Sequence, residues 1–158
     1  MEDGMKALTI RQPFASLIAI GAKPIEYRTW ATRHRGPMVI SVSSAWKGAD
    51  REFAATRKVT RQFRKAGLSP EALPLACIIA VVTLADCVES KKYPGEYEWR
   101  LKDIQRLERV VPTPGKLGLW TLSPALESQV LAALKVRGSG RATGRTDRVV
   151  TKSRERDE

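Results

Sequence analysis

The chain has 158 residues, 42% of them hydrophobic, enough for one domain with a core and too few for two of ordinary size. Its formal charge is +11, with 21 cations against 13 anions through Lys135, so the basic excess is not confined to the C-terminal end. Such a balance points to a polyanionic partner, RNA, DNA or an anionic membrane surface. No run of about 18 apolar residues occurs, which excludes a membrane-spanning helix. The acidic start Met1-Glu2-Asp3-Gly4 lacks the basic and apolar regions of a secretory signal, and a soluble cytoplasmic protein is expected.

Met5 to Ile10 reads as a short strand. Pro13 suits the first turn of a helix running to about Ile20, where a missing N–H costs nothing, and Gly21 fits the left-handed residue that ends it. From Ile25 to Arg28 the residues alternate, placing Ile25 and Tyr27 on one strand face and Glu26 and Arg28 on the other. Gly36-Pro37 marks a turn into an interior strand, Met38 to Val42. A single helix is predicted from about Ala49 to Ala66, with Phe53, Thr56, Val59 and Phe63 on one side and Arg57, Lys58, Arg61, Arg64 and Lys65 on another.

Gly67, Ser69-Pro70 and Pro74 separate that helix from the strongest strand signal, Leu75 to about Val88. The two cysteines, Cys77 and Cys87, lie within it. Ten extended residues span about 33 Å, far beyond disulfide reach, and two buried thiols are expected. Lys91 to Glu96 reads as a turn, Tyr97 to Leu101 as strand, and Ile104 to Val111 as strand or helix. Gly118 to Leu122 gives a short closing strand, and Ser123-Pro124 caps a terminal helix to about Val136. Residues 137–158 carry too few apolar side chains to pack and are expected to form a basic, disordered tail. With one histidine and no Cys-x-x-Cys, neither a metal site nor a cofactor is expected.

Several elements together resemble an ASCH domain: Leu8-Thr9-Ile10-Arg11-Gln12-Pro13-Phe14-Ala15, Gly21-x-Lys23-x-x-Glu26-x-Arg28, Trp30, Arg35-Gly36-Pro37 and Gly115-Lys116-Leu117-Gly118-Leu119-Trp120. This family is similar in fold to the PUA domains of RNA-modifying enzymes. The resemblance covers residues 5 to 136 and implies an α+β fold, a small PUA-like β-barrel flanked by helices, as one domain over residues 1–136. It also implies a cleft with Lys23, Glu26 and Arg28 in its floor and an association with RNA or DNA. One enzymatic branch, similar to an acetylcytidine amidohydrolase, uses a lysine to activate a threonine within Gly-x-Lys-x-x-Thr-x-Arg. Here that threonine position is Glu26, and a carboxylate cannot replace the hydroxyl as nucleophile in that scheme. A further bacterial branch cleaves RNA, and no motif of this chain carries its catalytic residues over.

The expected function is nucleic-acid binding, with RNA or a single strand preferred and a nucleotide or nucleoside as a possible smaller ligand. The candidate binding residues are Arg11, Lys23, Glu26, Arg28, Arg35, Trp46, Lys47, Arg57, Arg61 and Lys116. Lys23 either complements a helix C-terminus, worth about 0.3–1 kcal/mol, or contacts phosphate or base. Glu26 either pairs with Arg28 or accepts a base amino group. Trp46 is the candidate stacking ring, whereas Trp99 and Trp120 read as core and His34 as a solvated loop residue. An enzyme reading makes Lys23 and Glu26 a catalytic acid–base pair acting on a modified nucleoside or on RNA. An adaptor that meets an acidic protein is a third reading.

Overall fold

The computed structural model describes residues 4–139, in which ten elements follow one another as β1 (Lys6–Ile10), α1 (Phe14–Ala19), β2 (Ile25–Arg28), β3 (Gly36–Val42), α2 (Gly48–Ala54), α3 (Arg57–Lys65), β4 (Cys77–Glu89), β5 (Tyr97–Pro112), β6 (Leu119–Thr121) and α4 (Pro124–Ser139). The strands form one sheet in the order β2-β5-β4-β3-β1-β6, in which only β1 and β3 run parallel. Irregularities of register between β4 and β5, at Ile78/Ala80, Val81/Thr83 and Leu84/Asp86, insert extra residues that bend both long strands. The sheet accordingly curls into a half-barrel, the α+β barrel with flanking helices that the sequence led us to expect.

Both faces of the central strands are buried. Leu8, Ile10, Met38, Ile40, Val82, Leu84 and Trp99 pack with α1 in one apolar layer. The alternate residues Ala7, Val39, Ile78, Leu107 and Val111 pack with Trp120, Leu122 and the α4 residues Val130 and Ala133 in the other. That double burial is why β1 and β3 read as nearly continuous apolar runs. Ser123 caps α4 as expected, its Oγ accepting from Leu126 N at 3.2 Å.

Four local expectations need correction. Pro13 stands just ahead of α1 as its capping position instead of inside the first turn. The single helix predicted over 49–66 is two helices, because Thr56 is extended (φ −65°, ψ 155°) and its hydroxyl donates to Phe53 O at 2.8 Å, competing with the helical ladder. Val59 and Phe63 then pack against Leu17, whereas Phe53, 40% exposed, turns away and stacks on Phe14. Cys77 is buried but Cys87 only half-buried; both are free thiols. Finally, α4 continues past Val136 to Ser139. The open choice at Ile104–Val111 resolves as strand, since β5 runs unbroken to Pro112 and puts Leu107 and Val111 under α4. The expected tail lies outside the described residues from position 140 onward.

Candidate nucleic-acid interface

Gly21, at φ +83°, lets the chain wrap the end of α1, and the amides of Ala22 and Lys23 both donate to Leu17 O. This turn aims Lys23 at the beginning of β2. Pairing of β2 with β5 sets Glu26 opposite the fully buried Trp99 and Arg28 opposite Tyr97, so Glu26 itself is only 8% exposed. Lys23 Nζ donates to Glu26 Oε1 at 3.0 Å and also to Ile25 O. On the other side, Arg28 Nε lies 3.0 Å from Glu26 Oε2. That contact is an ion pair without hydrogen-bond geometry, and this buried N–H has no hydrogen-bond partner among the described residues. Arg28 Nη2 donates to Thr9 O at 2.7 Å. One buried carboxylate is thus straddled by two partly exposed cations, which fixes all three in place.

These side chains form the floor of a cleft of about 460 Å³, within the range of roughly 300–1,000 Å³ usual for small-ligand sites. Its walls are Thr9, Ile10, Arg11, Phe14, Tyr27 and Glu96. Arg11 is held at the rim by Asp50 of α2, its Nε donating to Oδ2 at 2.8 Å, and its guanidinium also lies over the Phe14 ring. Thr9 connects the cleft to the far end of the domain: its Oγ1 accepts from Trp120 Nε1 at 3.0 Å and from Lys116 N at 3.2 Å. Gly115 fits there only because it lacks a side chain, since a Cβ would stand 2.4 Å from Thr9 Cγ2. Three of the segments that carried the resemblance, the one holding Thr9 itself, the one ending at Arg28 and the one from Gly115 to Trp120, therefore meet around one threonine.

Of the candidate residues, Arg11, Lys23, Glu26 and Arg28 come together in the cleft, and the others do not line it. Arg35 folds back onto the carbonyls of Thr32 and His34 and reaches Asp86 at 3.4 Å. The partly buried Trp46 ring has the Arg51 guanidinium 5.8 Å from its centre, and the exposed Lys47 caps α2. Arg57 and Arg61 border a shallow depression on α3 with Thr60, Arg64 and Lys65. Lys116 Nζ lies 5.5 Å from the Trp120 ring centre. His34 donates from Nε2 to Pro37 O at 3.0 Å, and Trp99 and Trp120 are buried as expected.

Sequence reasoning missed Thr9, Ile10, Phe14, Tyr27 and Glu96 as cleft residues, and Asp50 as the brace for Arg11. The first four lie inside or beside the quoted motifs, so contiguity was a usable signal. Glu96 and Asp50 reach the site only through tertiary structure. Among the described residues no cluster of His, Cys, Asp and Glu could hold a metal ion, and no helix is long and apolar enough to cross a membrane.

With this geometry in hand, the comparisons with known proteins agree on one family. The sequence model of the ASCH domain matches residues 8–113. The chain is 32% identical over 96 residues to activating signal cointegrator 1 of Homo sapiens and 30% identical over 96 residues to that of Mus musculus, covering 60% of this chain in each case. It spans only 16% of the length of those relatives. In three dimensions it is similar to the crystal structure of a ZmASCH mutant protein from Zymomonas mobilis, with a TM-score of 0.51 and 15% identity over 82% of this chain and 97% of that one. The structural likeness bears on fold alone.

Proposed function

Because this chain belongs to the ASCH domain family, we propose that it binds nucleic acid, RNA in the first instance, and that the cleft built on Gly21-x-Lys23-x-x-Glu26-x-Arg28 receives one unpaired nucleotide. The observation that carries the reading is the convergence of Lys23 and Arg28 on the buried Glu26 at the floor of a solvent-reachable cleft. Two cations against one carboxylate leave a single positive charge on the floor, and on the walls Arg11 and Glu96 offset each other. So small a surplus suits a base edge or one phosphodiester and does not suit a polyphosphate.

Lys23 and Arg28 each keep N–H donors beyond those engaged by Glu26, Ile25 and Thr9, and these are available to base carbonyls or phosphate oxygens. Arg11, half exposed at the rim, adds a phosphate contact. Phe14 and Tyr27 offer ring surface to the base. Arg35, Lys47, Arg57, Arg61 and Lys116 extend the footprint as surface contacts to backbone, and Trp46 as a stacking ring. A hydrolytic role for the Lys23–Glu26 pair requires a substrate proton to displace one of the two cations that occupy the carboxylate oxygens. Binding uses the carboxylate as it stands, and we take binding as the function.

The test is an anisotropy titration with a labelled single-stranded RNA. Lys23→Ala is expected to weaken binding about tenfold, the value of one charge-assisted hydrogen bond. Arg28→Lys, which keeps the charge but loses the fork, is expected to weaken it as well. Parent-like affinity in both variants sinks the cleft as the binding site. Turnover of acetylcytidine or RNA by pure protein, lost in Glu26→Gln, moves the assignment to an enzyme.

A further inference from the structure

The loop 90–96 between β4 and β5 contributes Glu96 to the cleft and then extends beyond it. Tyr27, a cleft wall, is met edge-on by Tyr93 of this loop, with ring centres 4.8 Å apart at 89°. Lys23 Nζ lies 5.7 Å from the Tyr27 ring centre, and Lys92 Nζ lies 5.4 Å from that of Tyr93. Cation, ring, ring and cation thus follow one another from the cleft floor to an exposed tip, where Tyr93 is 42% exposed and Lys91 and Lys92 are exposed beside it.

The tip is held without a ligand. Tyr93 N donates to Ser90 Oγ at 2.9 Å, Glu96 N to Tyr93 O at 3.0 Å and Ser90 N to Glu96 O at 2.8 Å, while Gly95 supplies the left-handed turn at φ +89°. A ring already fixed in position loses little freedom on binding. Phosphates tracked by cations and bases stacked on aromatic faces are how proteins hold single strands, whose bases, unlike those of a duplex, have faces to offer.

We infer that Tyr93, with Lys91 and Lys92, is a second nucleotide subsite, which stacks the base next to the one in the cleft, so that the ligand is a single-stranded polynucleotide and not a free nucleotide. The inference rests on the cleft reading above and deepens it.

Competition against a labelled tetra-uridylate, using unlabelled tetra-uridylate or uridine monophosphate, separates the two. The readout is the ratio of the two affinities. In the parent and in Tyr93→Phe the tetranucleotide is expected to bind more tightly by about five- to hundredfold, the worth of one stacked base. In Tyr93→Ala, with folding checked by thermal melting, that ratio is expected to collapse toward one. Lys91→Ala with Lys92→Ala is expected to flatten the salt dependence of tetranucleotide binding by about 0.7 log units for each phosphate left unneutralised. A parent-like ratio in Tyr93→Ala overturns the second subsite while leaving the cleft reading in place. Equal loss in Tyr93→Phe and Tyr93→Ala overturns stacking as its basis, and equal competition by duplex RNA overturns the single-strand assignment. If neither ligand binds the parent, both readings fall together.

Discussion

The cleft floor and the outer face of α3 are both rich in cations, yet they differ in nearly every physical respect. Lys23 and Arg28 are about three-quarters buried and tied to a carboxylate and to backbone carbonyls. Arg57, Lys58, Arg61, Arg64 and Lys65 stand exposed, and the ion pair that Arg64 makes with Glu71 joins two well-exposed side chains at 3.7 Å. Exposed pairs of that kind contribute about 0–1 kcal/mol and are screened by salt. Charges fixed by neighbours give orientation, whereas free surface charges give long-range attraction, so on the proposed function the same residue types divide between recognising a group and gathering a polyanion.

The largest effect should come from Glu26, which holds the floor together. Glu26→Ala leaves two partly buried cations facing each other without their shared partner. We expect it to cost about 2–4 kcal/mol and lower Tm by roughly 5–12 °C, read by thermal denaturation. An unchanged Tm would place the floor with α3, as ordinary surface charge. Next is Gly115→Ala, whose new methyl must push Thr9 aside. About 1–3 kcal/mol of destabilisation is expected, with weaker RNA binding because Thr9 anchors Arg28. If binding survives at full strength, the wall is not needed for recognition.

On α3, Arg57→Ala with Arg61→Ala should leave Tm within about 1 °C of the parent. The same pair should flatten the salt dependence of RNA binding by about 0.7 log units for every phosphate that the two arginines neutralise in the parent. A weakening that persists undiminished at high salt would make α3 a recognition element. The smallest effect concerns the thiols. Burial raises the pKa of Cys77, keeping it protonated at neutral pH, so a maleimide should modify the half-buried Cys87 first in the folded protein.

Much of the site was readable because its centre is contiguous. Gly21 through Arg28 is a helix stop followed by a strand, and period-two alternation alone puts Glu26 beside Arg28. That Lys23 closes the other side of the carboxylate depends on the wrapped turn after α1, which residue spacing does not report. Asp50, Tyr93 and Glu96 arrive through the packing of α2 and the β4–β5 hairpin, and their local sequences look like ordinary surface. Strands were legible where both faces are apolar, as in β3 and β4. The break at Thr56 was hidden because Phe53, Thr56, Val59 and Phe63 match a helical period, and the bond from the Thr56 hydroxyl to Phe53 O and the stacking of Phe53 on Phe14 show themselves only in three dimensions.

The pairing of β1 with β6, together with the bonds from Lys116 and Trp120 to Thr9, has a kinetic consequence. A chain emerging from the ribosome can form the turn carrying Lys23 early and set Glu26 and Arg28 once β5 is made, but the Thr9 side of the pocket stays unsupported until residues more than a hundred positions after it have been made. Closing so long a loop is slow, and its reward comes late. On the proposed reading, ligand capture waits for completion of the domain, and a nascent fragment ending before Gly115 carries the charges of the site without its shape.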